Sequence, residues 1–344
     1  MKSYSSAREL PEQWDEGLDG NLYLRRDFLI FLESVDDSEK SYHVFMDKSG
    51  NLDTKLMLHK HSGYNLTMFT NLKSSIDMNF IYFPLSVSRP AMVFGEASRA
   101  ETVTFLKSIQ GYKMILNAPE WYRLDGFARG LTCPRCVLDL SWDSFEAYLD
   151  ALRSGYRRRY KKALEASAGL RLYWLDDNRE FDERLYQLYL EVFDNSRFKL
   201  ERLTLPFFQG DRFRIFVLAD AEGPVGFVQL LENGPELIFE FVGFDHAKNR
   251  EYDTYMRMLL EIVRYGIENG FTTIDFGQTA DDAKLKLGCR YEMLYALLHH
   301  SNPLVNAVIK LAARYIQYQP LDESSFHVFK ADGSMAEVPK AGQS

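Results

Sequence analysis

The stretch that decides the fold of this chain runs over residues 236–288. It begins ELIFEFVGFD (236–245), continues into a helical pattern, and ends TTIDFGQTADDAKLKLG (272–288). The spacing of apolar residues over 252–267 predicts a helix, and Gly270 predicts its end. Two strands around one helix place a lone carboxylate, Glu240, a strand-end Asp275 and a lysine near one cleft. The stretch therefore predicts an α/β fold with the outline of an active site.

The chain shows the same order of elements twice, once in each half. In the second half, runs 214–219 and 225–231 predict a hairpin before the strand at 236–244, and 271–276 predicts the next strand. A further strand is predicted after this repeat, at 291–299. The first half predicts its own hairpin, strand, helix and strand at 41–46, 54–60, 79–85, 99–109 and 112–116. We interpret this order as an internal structural duplication.

The domain organisation follows from the duplication. With 344 residues and 46% hydrophobic residues, the chain is long enough for two domains that each bury a core. We expect an N-terminal domain over 1–140, a linking helix over 141–168, a C-terminal domain over 169–330 and a flexible tail over 331–344. The predicted class is α/β (α+β), with two tandem domains that each contain a mixed, mostly antiparallel sheet flanked by helices.

Composition limits the partners and the compartment. The net charge of -8 argues against a broad nucleic-acid-binding surface. The sequence shows no apolar run of the roughly 18 to 20 residues that a membrane span needs, and MKSYSSARELPEQWDE (1–16) lacks a secretion signal. Three cysteines give no disulfide framework. We therefore expect a soluble, cytoplasmic protein.

A metal centre finds little support in the sequence. Cys133 and Cys136 have CxxC spacing, but a structural zinc site needs about four ligands and no second pair exists. Zinc or redox chemistry stays open as the less favoured alternative to ordinary loop cysteines. We expect no metal.

The three groups around the cleft each have a structural and a chemical interpretation. Glu240 lies among apolar neighbours, so it either pairs with a cation or opens onto a cleft as a base with a raised pKa. Asp275 ends a core strand, where ligands bind in open α/β sheets, but it also suits a turn. Lys284 and Lys286 lie on nearly opposite sides of a short helix, so at most one faces the site.

A basic segment lies in the linking helix. Its cations are Arg153, Arg157, Arg158, Arg159, Lys161 and Lys162. A solvated helix face is the favoured interpretation, and contact with phosphate or RNA is the alternative.

Two motifs give the chain a family resemblance. LRSGYRRRYKKALE (152–165) and IDFGQTADDAKLKLG (274–288) resemble the GNAT superfamily of acyltransferases, in particular tandem-GNAT proteins of the FemAB-like and CelD-like types. The family's Asp-Phe-Gly followed by Lys-x-x-x-Gly falls on residues 275–277, Lys284 and Gly288. The resemblance thus selects Lys284 over Lys286.

The resemblance implies a mechanism and a donor site. In GNAT folds the strand at 236–244 splays from the next strand, and the pantetheine arm of coenzyme A lies in the gap. Glu240 would act as the base that deprotonates an amine, Lys284 would lie at the site, and Tyr291 would protonate the leaving thiolate. The residues that the resemblance assigns to the acyl-CoA or acetyl-CoA co-substrate are Val242, Gly243, Phe244, Asp245, Asn249, Arg250, Thr254, Asp275 and Gln278.

The pyrophosphate loop departs from the family pattern. GNAT proteins place glycines at the helix start, whereas KNREYDTYM (248–256) has none, and Thr254 and Met256 stand in their places. FemAB enzymes take their acyl group from aminoacyl-tRNA, so transfer from another donor is compatible with this loss.

Three hypotheses follow. The first is an N-acyltransferase that uses acyl-CoA and a small-molecule or cell-envelope amine. The second is an aminoacyl-tRNA-dependent transferase whose basic segment contacts RNA, and the third is a non-catalytic tandem-GNAT binding module.

Overall fold

A computed structural model describes residues 1–67, 70, 72–85, 87–196 and 202–330. The predicted tail at 331–344 lies outside these residues. The strands are β1 Lys2–Tyr4, β2 Lys40–Met46, β3 Leu52–Tyr64, β4 Ile76–Ile81, β5 Met92–Val93, β6 Tyr112–Ala118, β7 Ala128–Leu131, β8 Arg135–Asp139, β9 Arg171–Trp174, β10 Arg214–Asp220, β11 Gly223–Asn233, β12 Glu236–Phe244, β13 Thr273–Asp275, β14 Arg290–Glu292 and β15 Tyr295–His300. The helices are α1 Arg26–Val35, α2 Arg99–Ser108, α3 Phe145–Ala151, α4 Ser154–Ala166, α5 Glu183–Asn195, α6 Leu205–Phe208, α7 His246–Tyr252, α8 Thr254–Glu268, α9 Asp281–Lys286 and α10 Pro303–Ile316.

The strands form two mixed sheets with matching topology. The first sheet has the order β1-β2-β3-β4-β6-β15-β7, and β5 pairs with β3 off this path. The second has the order β9-β10-β11-β12-β13-β8-β14. In each sheet the only parallel pair of the described strands is the fourth with the fifth, β4 with β6 and β12 with β13. The two mostly antiparallel sheets flanked by helices confirm the predicted fold class, and their equal order supports the duplication.

The two halves exchange one strand each. In the second sheet β8, from the first half of the chain, lies between β13 and β14. In the first sheet β15, from the end of the chain, lies between β6 and β7. The ranges 1–140 and 169–330 therefore each contribute a strand to the other's sheet. The exchange gives each sheet its full set of strands only when both halves are folded.

Two predicted elements are wrong in detail. The linking segment is not one helix but two, because Leu152 and Arg153 are extended and the Arg153 N–H donates to the Val328 carbonyl at 2.9 Å. The run 291–299, predicted as one strand, is divided between β14 and β15 in different sheets. In both places a partner distant in sequence competes with the local pattern.

Aromatic side chains fill the core that joins the halves. Tyr23 and Phe28 from the first half share one apolar cluster with Phe207 and Phe208 from the second. The other side of the second sheet is covered by α8, whose buried stripe includes Leu259 and other apolar side chains. Burial of apolar area is the main force that stabilises such a core. Within the described part of the chain, no helix is long and apolar enough to cross a membrane.

Candidate active site

The predicted gap between two strands is present in the second sheet. β12 and β13 pair in parallel register only at three positions, from Glu236 with Thr273 to Ile238 with Asp275. Beyond Ile238 the two strands separate, and Phe276 N–H instead donates to the Cys136 carbonyl of β8 at 2.8 Å. One edge of β12 over 239–244 is thereby left facing a cleft rather than a neighbouring strand.

Glu240 lies on a β-bulge in this separated part of β12. In the pairing with β11, Gln229 opposes Phe241 and Leu230 opposes Phe239, so Glu240 is the extra residue. Bulges often redirect a side chain beside an active site. The Tyr23 hydroxyl, from the first half, donates a hydrogen bond to Glu240 Oε1. The predicted base is thus held by both halves of the chain.

The surroundings of Glu240 oppose its ionisation. Its pKa is raised to about 8, chiefly by burial and also by the charge of Asp275, while the Tyr23 hydrogen bond and Arg89 partly oppose this shift. The pKa of Tyr23 is itself raised well above its ordinary value by burial and by Glu240. A carboxyl group with a pKa near neutrality is suited to general base catalysis.

Lys284 lies in the cleft, whereas Lys286 does not. Lys284 is 3% exposed, and its Nζ donates to the Gln278 carbonyl at 2.8 Å. Burial lowers the pKa of Lys284, and the nearby Cys136 and Asp281 oppose that shift. Lys286 instead forms a surface ion pair with Asp282 at 2.6 Å. The lysine selected by the family motif thus lines the same cleft as the candidate base.

The turn that carries Gln278 has an unusual backbone. Gly277, Thr279 and Ala280 all have positive φ angles of 70°, 63° and 52°. Only glycine adopts this region without strain, and each other residue there costs on the order of 1 kcal/mol. The turn is fixed from the first half, because Gln278 Nε2 donates to Asn117 Oδ1 at 3.0 Å. Two distant segments therefore hold the carbonyl that binds Lys284.

Asp275 belongs to a buried ionic cluster and does not line the cleft. Its Oδ2 accepts hydrogen bonds from Ser88 at 2.7 Å and from Arg135 at 2.9 Å. Arg89 and Arg135 also pair with Glu236, at 2.6 and 3.1 Å. Burial opposes ionisation of Asp275, but the two arginines and the hydrogen bonds outweigh it and lower its pKa. The contacts of Asp275 join the loop before β5 to the end of β13.

Tyr291 lies behind the cleft. Its hydroxyl donates to Asp281 Oδ2 at 2.8 Å, and burial raises its pKa. Tyr318, which does line the cleft, donates to the same oxygen at 2.7 Å. Asp281 Oδ1 is buried without a hydrogen-bond partner among the described residues. Tyr318 and Asp281 belong to the site, although sequence reasoning did not select them.

The predicted donor residues on β12 divide between two faces. Val242 and Phe244 line the cleft. Gly243 is buried on the other face, where a Cβ would lie 2.6 Å from the Tyr189 backbone nitrogen of α5. The absence of a side chain at Gly243 therefore lets α5 pack closely on the strand.

The helix start that would bind pyrophosphate is already capped. The Asp245 carboxylate accepts from the backbone N–H groups of Ala247 and Lys248 at 2.7 and 3.0 Å. Asn249 Oδ1 accepts from the Tyr255 N–H at 2.8 Å. Thr254 is fully buried, and Arg250 is exposed on α7. Donors that could bind an anion are thus occupied by side chains.

The cleft has a volume of about 720 Å³. Its walls are the separated edge of β12, the end of α5, the 277–284 turn and helix, and the segment after α10. Glu240, Val242, Phe244, Gln278 and Lys284 line it, whereas the other predicted site residues lie outside the lining. This size suits a small ligand or the reacting end of a larger one.

The cysteines are buried thiols in this region. Cys133, Cys136 and Cys289 form no disulfide, and burial raises the pKa of each. Within the described residues no group of three or more His, Cys, Asp or Glu side chains is placed to hold a metal ion.

Comparison with known proteins gives one family match and several structural ones. Residues 151–285 match the family model of the acetyltransferase (GNAT) domain. No curated protein matches the sequence. Among solved structures, FemX aligns with a TM-score of 0.50 at 11% identity, over 79% of this chain and 90% of that one.

Two further structures align at lower TM-scores. The C-terminal domain of a putative lysylphosphatidylglycerol synthetase from Agrobacterium fabrum gives 0.48 at 13% identity, over 78% of this chain and 88% of that one. A GCN5-related N-acetyltransferase from Anabaena variabilis gives a TM-score of 0.46 at 13% identity, over 91% of this chain and 75% of that one.

The family match spans α4, the strands that form the cleft and most of α9, including Glu240 and Lys284. At 11% identity the likeness to FemX concerns the fold alone. Residues 151–285 are therefore similar to a GNAT acetyltransferase domain, and this match supports a transferase enzyme.

Proposed function

We propose that the protein is an N-acyltransferase that moves an acyl group from a thioester donor to an amine by direct attack. The observation that carries this proposal is Glu240. It is a carboxyl group with a pKa near 8 that lies on a bulge in the cleft, beside the strand edge where the family binds its donor. Such a group is partly ionised at neutral pH and accepts a proton from an ammonium or amine.

The reaction divides among the residues of the cleft. Glu240 takes a proton from the acceptor amine, and the amine nitrogen then bonds to the acyl carbon. Lys284 Nζ donates to the carbonyl oxygen as negative charge develops there. The carbon–sulfur bond breaks, and the leaving thiolate takes a proton from the tyrosine pair at Asp281, Tyr318 on the cleft side and Tyr291 behind it.

Acyl-CoA or acetyl-CoA is the first candidate donor. Its pantetheine arm carries amide groups that would pair with the free edge of β12 over 239–244, as a further strand would. Val242 and Phe244 would contact that arm. The cleft then leaves room for a small-molecule amine or for the amine of a cell-envelope precursor.

Aminoacyl-tRNA is the second candidate donor, and a specific observation favours it. The caps made by Asp245 and Asn249 occupy N–H groups that coenzyme A would need at the helix start. Nearby, α4 packs against α7 and α8 and presents exposed cations. Those cations are Arg158, Arg159, Lys161 and Lys162, and none of them forms an ion pair with a carboxylate within the described residues. An exposed cationic helix beside the donor site suits a phosphate backbone.

Titration calorimetry distinguishes the donors. Under the first candidate, acetyl-CoA or a longer acyl-CoA binds, and binding weakens in Val242→Lys. Absence of binding by every acyl-CoA removes this candidate. Under the second, tRNA binds with a strong salt dependence, and Arg158→Glu with Arg159→Glu weakens it at least about tenfold. Arg179→Glu, an exposed arginine remote from α4 in sequence, is the matched control and should leave tRNA binding unchanged.

A further inference from the structure

An apolar stripe lies on the outer face of α10. Its side chains are exposed by 80%, 65%, 72% and 69% at Leu304, Val308, Leu311 and Tyr315. Their spacing of three and four residues places them on one side of the helix, over a length of about 16 Å. We call these four residues the outer stripe. Most exposed helix faces are polar, so an apolar face of this kind marks an interaction surface.

The inner face of α10 already has its partner. Asn306 and Ile309 are buried, and the helix packs on β7 and β15 of the first sheet. Asn306 fixes the helix with a hydrogen bond from its Nδ2 to the Gly126 carbonyl at 3.0 Å. The helix is therefore held in place by its inner face, and the outer stripe contributes nothing to that packing.

The charged residues of α10 and of the segments on either side of it, 293–321, are all cationic. Residues 293–321 contain no Asp or Glu, although the chain has 49 of them, and they include Lys310 and Arg314 on one flank of the stripe. The buried His299 lies in the same positive electrostatic field. Its pKa is lowered to about 4, chiefly by burial and also by the neighbouring Lys113, Lys107, Lys310 and His300. An acidic protein thus presents a cationic flank beside one apolar stripe.

We propose that the outer face of α10 binds the surface of an anionic lipid bilayer. The outer stripe enters the boundary between headgroups and acyl chains, and Lys310 and Arg314 contact the lipid phosphates. The helix lies along the surface and does not cross the membrane. A second copy of the chain fits less well, because a symmetric pair of α10 helices would bring together two cationic flanks with no carboxylate on either helix.

The segment that follows α10 reaches the cleft. The helix ends at Ile316, and Tyr318 and Leu321, which line the cleft, follow directly. Binding through the outer stripe would bring the mouth of the cleft close to the lipid headgroups. The proposal itself rests on α10 alone and holds whatever donor the cleft uses.

Co-sedimentation with vesicles tests the proposal. The full chain is mixed with vesicles of phosphatidylcholine alone and with vesicles that also contain phosphatidylglycerol. We expect binding to the anionic vesicles that is at least about tenfold stronger than to the neutral ones. Leu311→Glu should reduce binding to anionic vesicles by about tenfold or more, and Lys310→Glu with Arg314→Glu should do the same. Ala166→Glu makes the same charge change as Leu311→Glu at an exposed position of α4 and should leave binding unchanged.

Several outcomes would overturn the proposal. One is absence of binding to either vesicle, and another is binding that Leu311→Glu leaves intact. Loss of binding in Arg158→Glu with Arg159→Glu would assign it to α4 instead. Light scattering after size-exclusion chromatography examines the competing occupant, since a dimer that Leu311→Glu dissociates would show that α10 binds a second copy. Far-ultraviolet circular dichroism and the melting temperature of each variant establish that it remains folded.

Discussion

The Tyr23 hydroxyl donates a hydrogen bond to Glu240 Oε1, although the two residues are 217 positions apart in the chain. Tyr23 lies in a short 3-10 turn of the first half, and it is 1% exposed. Glu240 lies on the bulge of β12 in the second half. The first half of the chain therefore supplies a direct partner to the carboxyl group that we propose as the base.

Tyr23→Phe should shift the pH dependence of catalysis. The Tyr23 hydrogen bond lowers the pKa of Glu240, so its loss raises that pKa above the value of about 8. In a plot of kcat/KM against pH, the rising limb that reports ionisation of the base should move to higher pH. The measurement is a pH–rate profile of wild type and variant. Tyr265→Phe, which removes a hydroxyl bound to the exposed Glu232, is the control. A limb that stays in place or moves to lower pH would contradict the assignment.

Glu240→Gln should stabilise the fold at alkaline pH. The folded pKa of about 8 lies above the ordinary value of 4.5, so the folded state holds a proton that the unfolded state releases between these values. Stability conferred by the protonated group is fully present below about 4.5 and is lost as the pH rises through 8. Glutamine has no titratable carboxyl group, so the stability of the variant should not depend on pH at this position.

Thermal unfolding at several pH values measures this effect. The melting temperature of wild type should fall relative to that of Glu240→Gln as the pH rises from 5 to 9. At pH 9 the unfolding free energies of the two proteins should differ from their relation at pH 5 by about 1 to 3 kcal/mol. Glu232→Gln on the neighbouring strand controls for the substitution. Parallel curves for Glu240→Gln and wild type would be inconsistent with a raised pKa.

Arg135→Met should destabilise the protein strongly. Arg135 lies on the exchanged strand β8 and pairs with Asp275, Glu236 and Glu292. Removing it leaves the buried Asp275 and the partly buried Glu236 and Glu292 short of a cation, and breaking a buried pair typically costs about 3 to 5 kcal/mol. Urea unfolding measures this loss. Arg179→Met, whose pair with Asp177 is exposed, should leave the stability nearly unchanged. Equal effects of the two substitutions would show that the buried cluster does not hold the halves together.

Lys284→Met should reduce kcat more than Lys286→Met. Lys284 lines the cleft and is held by the Gln278 carbonyl, whereas Lys286 pairs with Asp282 at the surface. Loss of one donor to a developing oxyanion typically lowers kcat by about 10²- to 10³-fold. Kinetics under saturating substrate compare the two variants. Similar kcat values for both would remove Lys284 from the reaction.

The local patterns of the sequence were sufficient to predict most strands of the second sheet. The strand predicted over 236–244 matches β12 at both ends, because apolar residues and the turn before it act over a few residues. The gap beside β12 and the position of Lys284 also follow the resemblance. The bulge is indicated in the sequence only by the spacing of two apolar residues. Phe239 and Val242 pack against the same core although they are three residues apart, whereas a regular strand would place them on opposite faces.

Long-range partners account for what the sequence did not predict. Nothing near Tyr23 indicates that its hydroxyl binds Glu240, and no local pattern places β8 and β15 in each other's sheets. The break at Leu152 depends on pairing with Phe329, far along the chain. The caps at Asp245 and Asn249 use residue types that suit capping anywhere, so only the fold distinguishes them from ligand-binding groups.

The central claim is that Glu240 serves as the base for acylation of an amine. Its most direct test is to incubate wild type and Glu240→Gln with a cell extract, acetyl-CoA, longer acyl-CoAs and aminoacyl-tRNA, and to compare the products by mass spectrometry. The account predicts an acylated amine that wild type forms and that Glu240→Gln forms about 10² to 10⁴ times more slowly. Equal formation of that product by the two proteins, or no acylated amine with any donor, would contradict it.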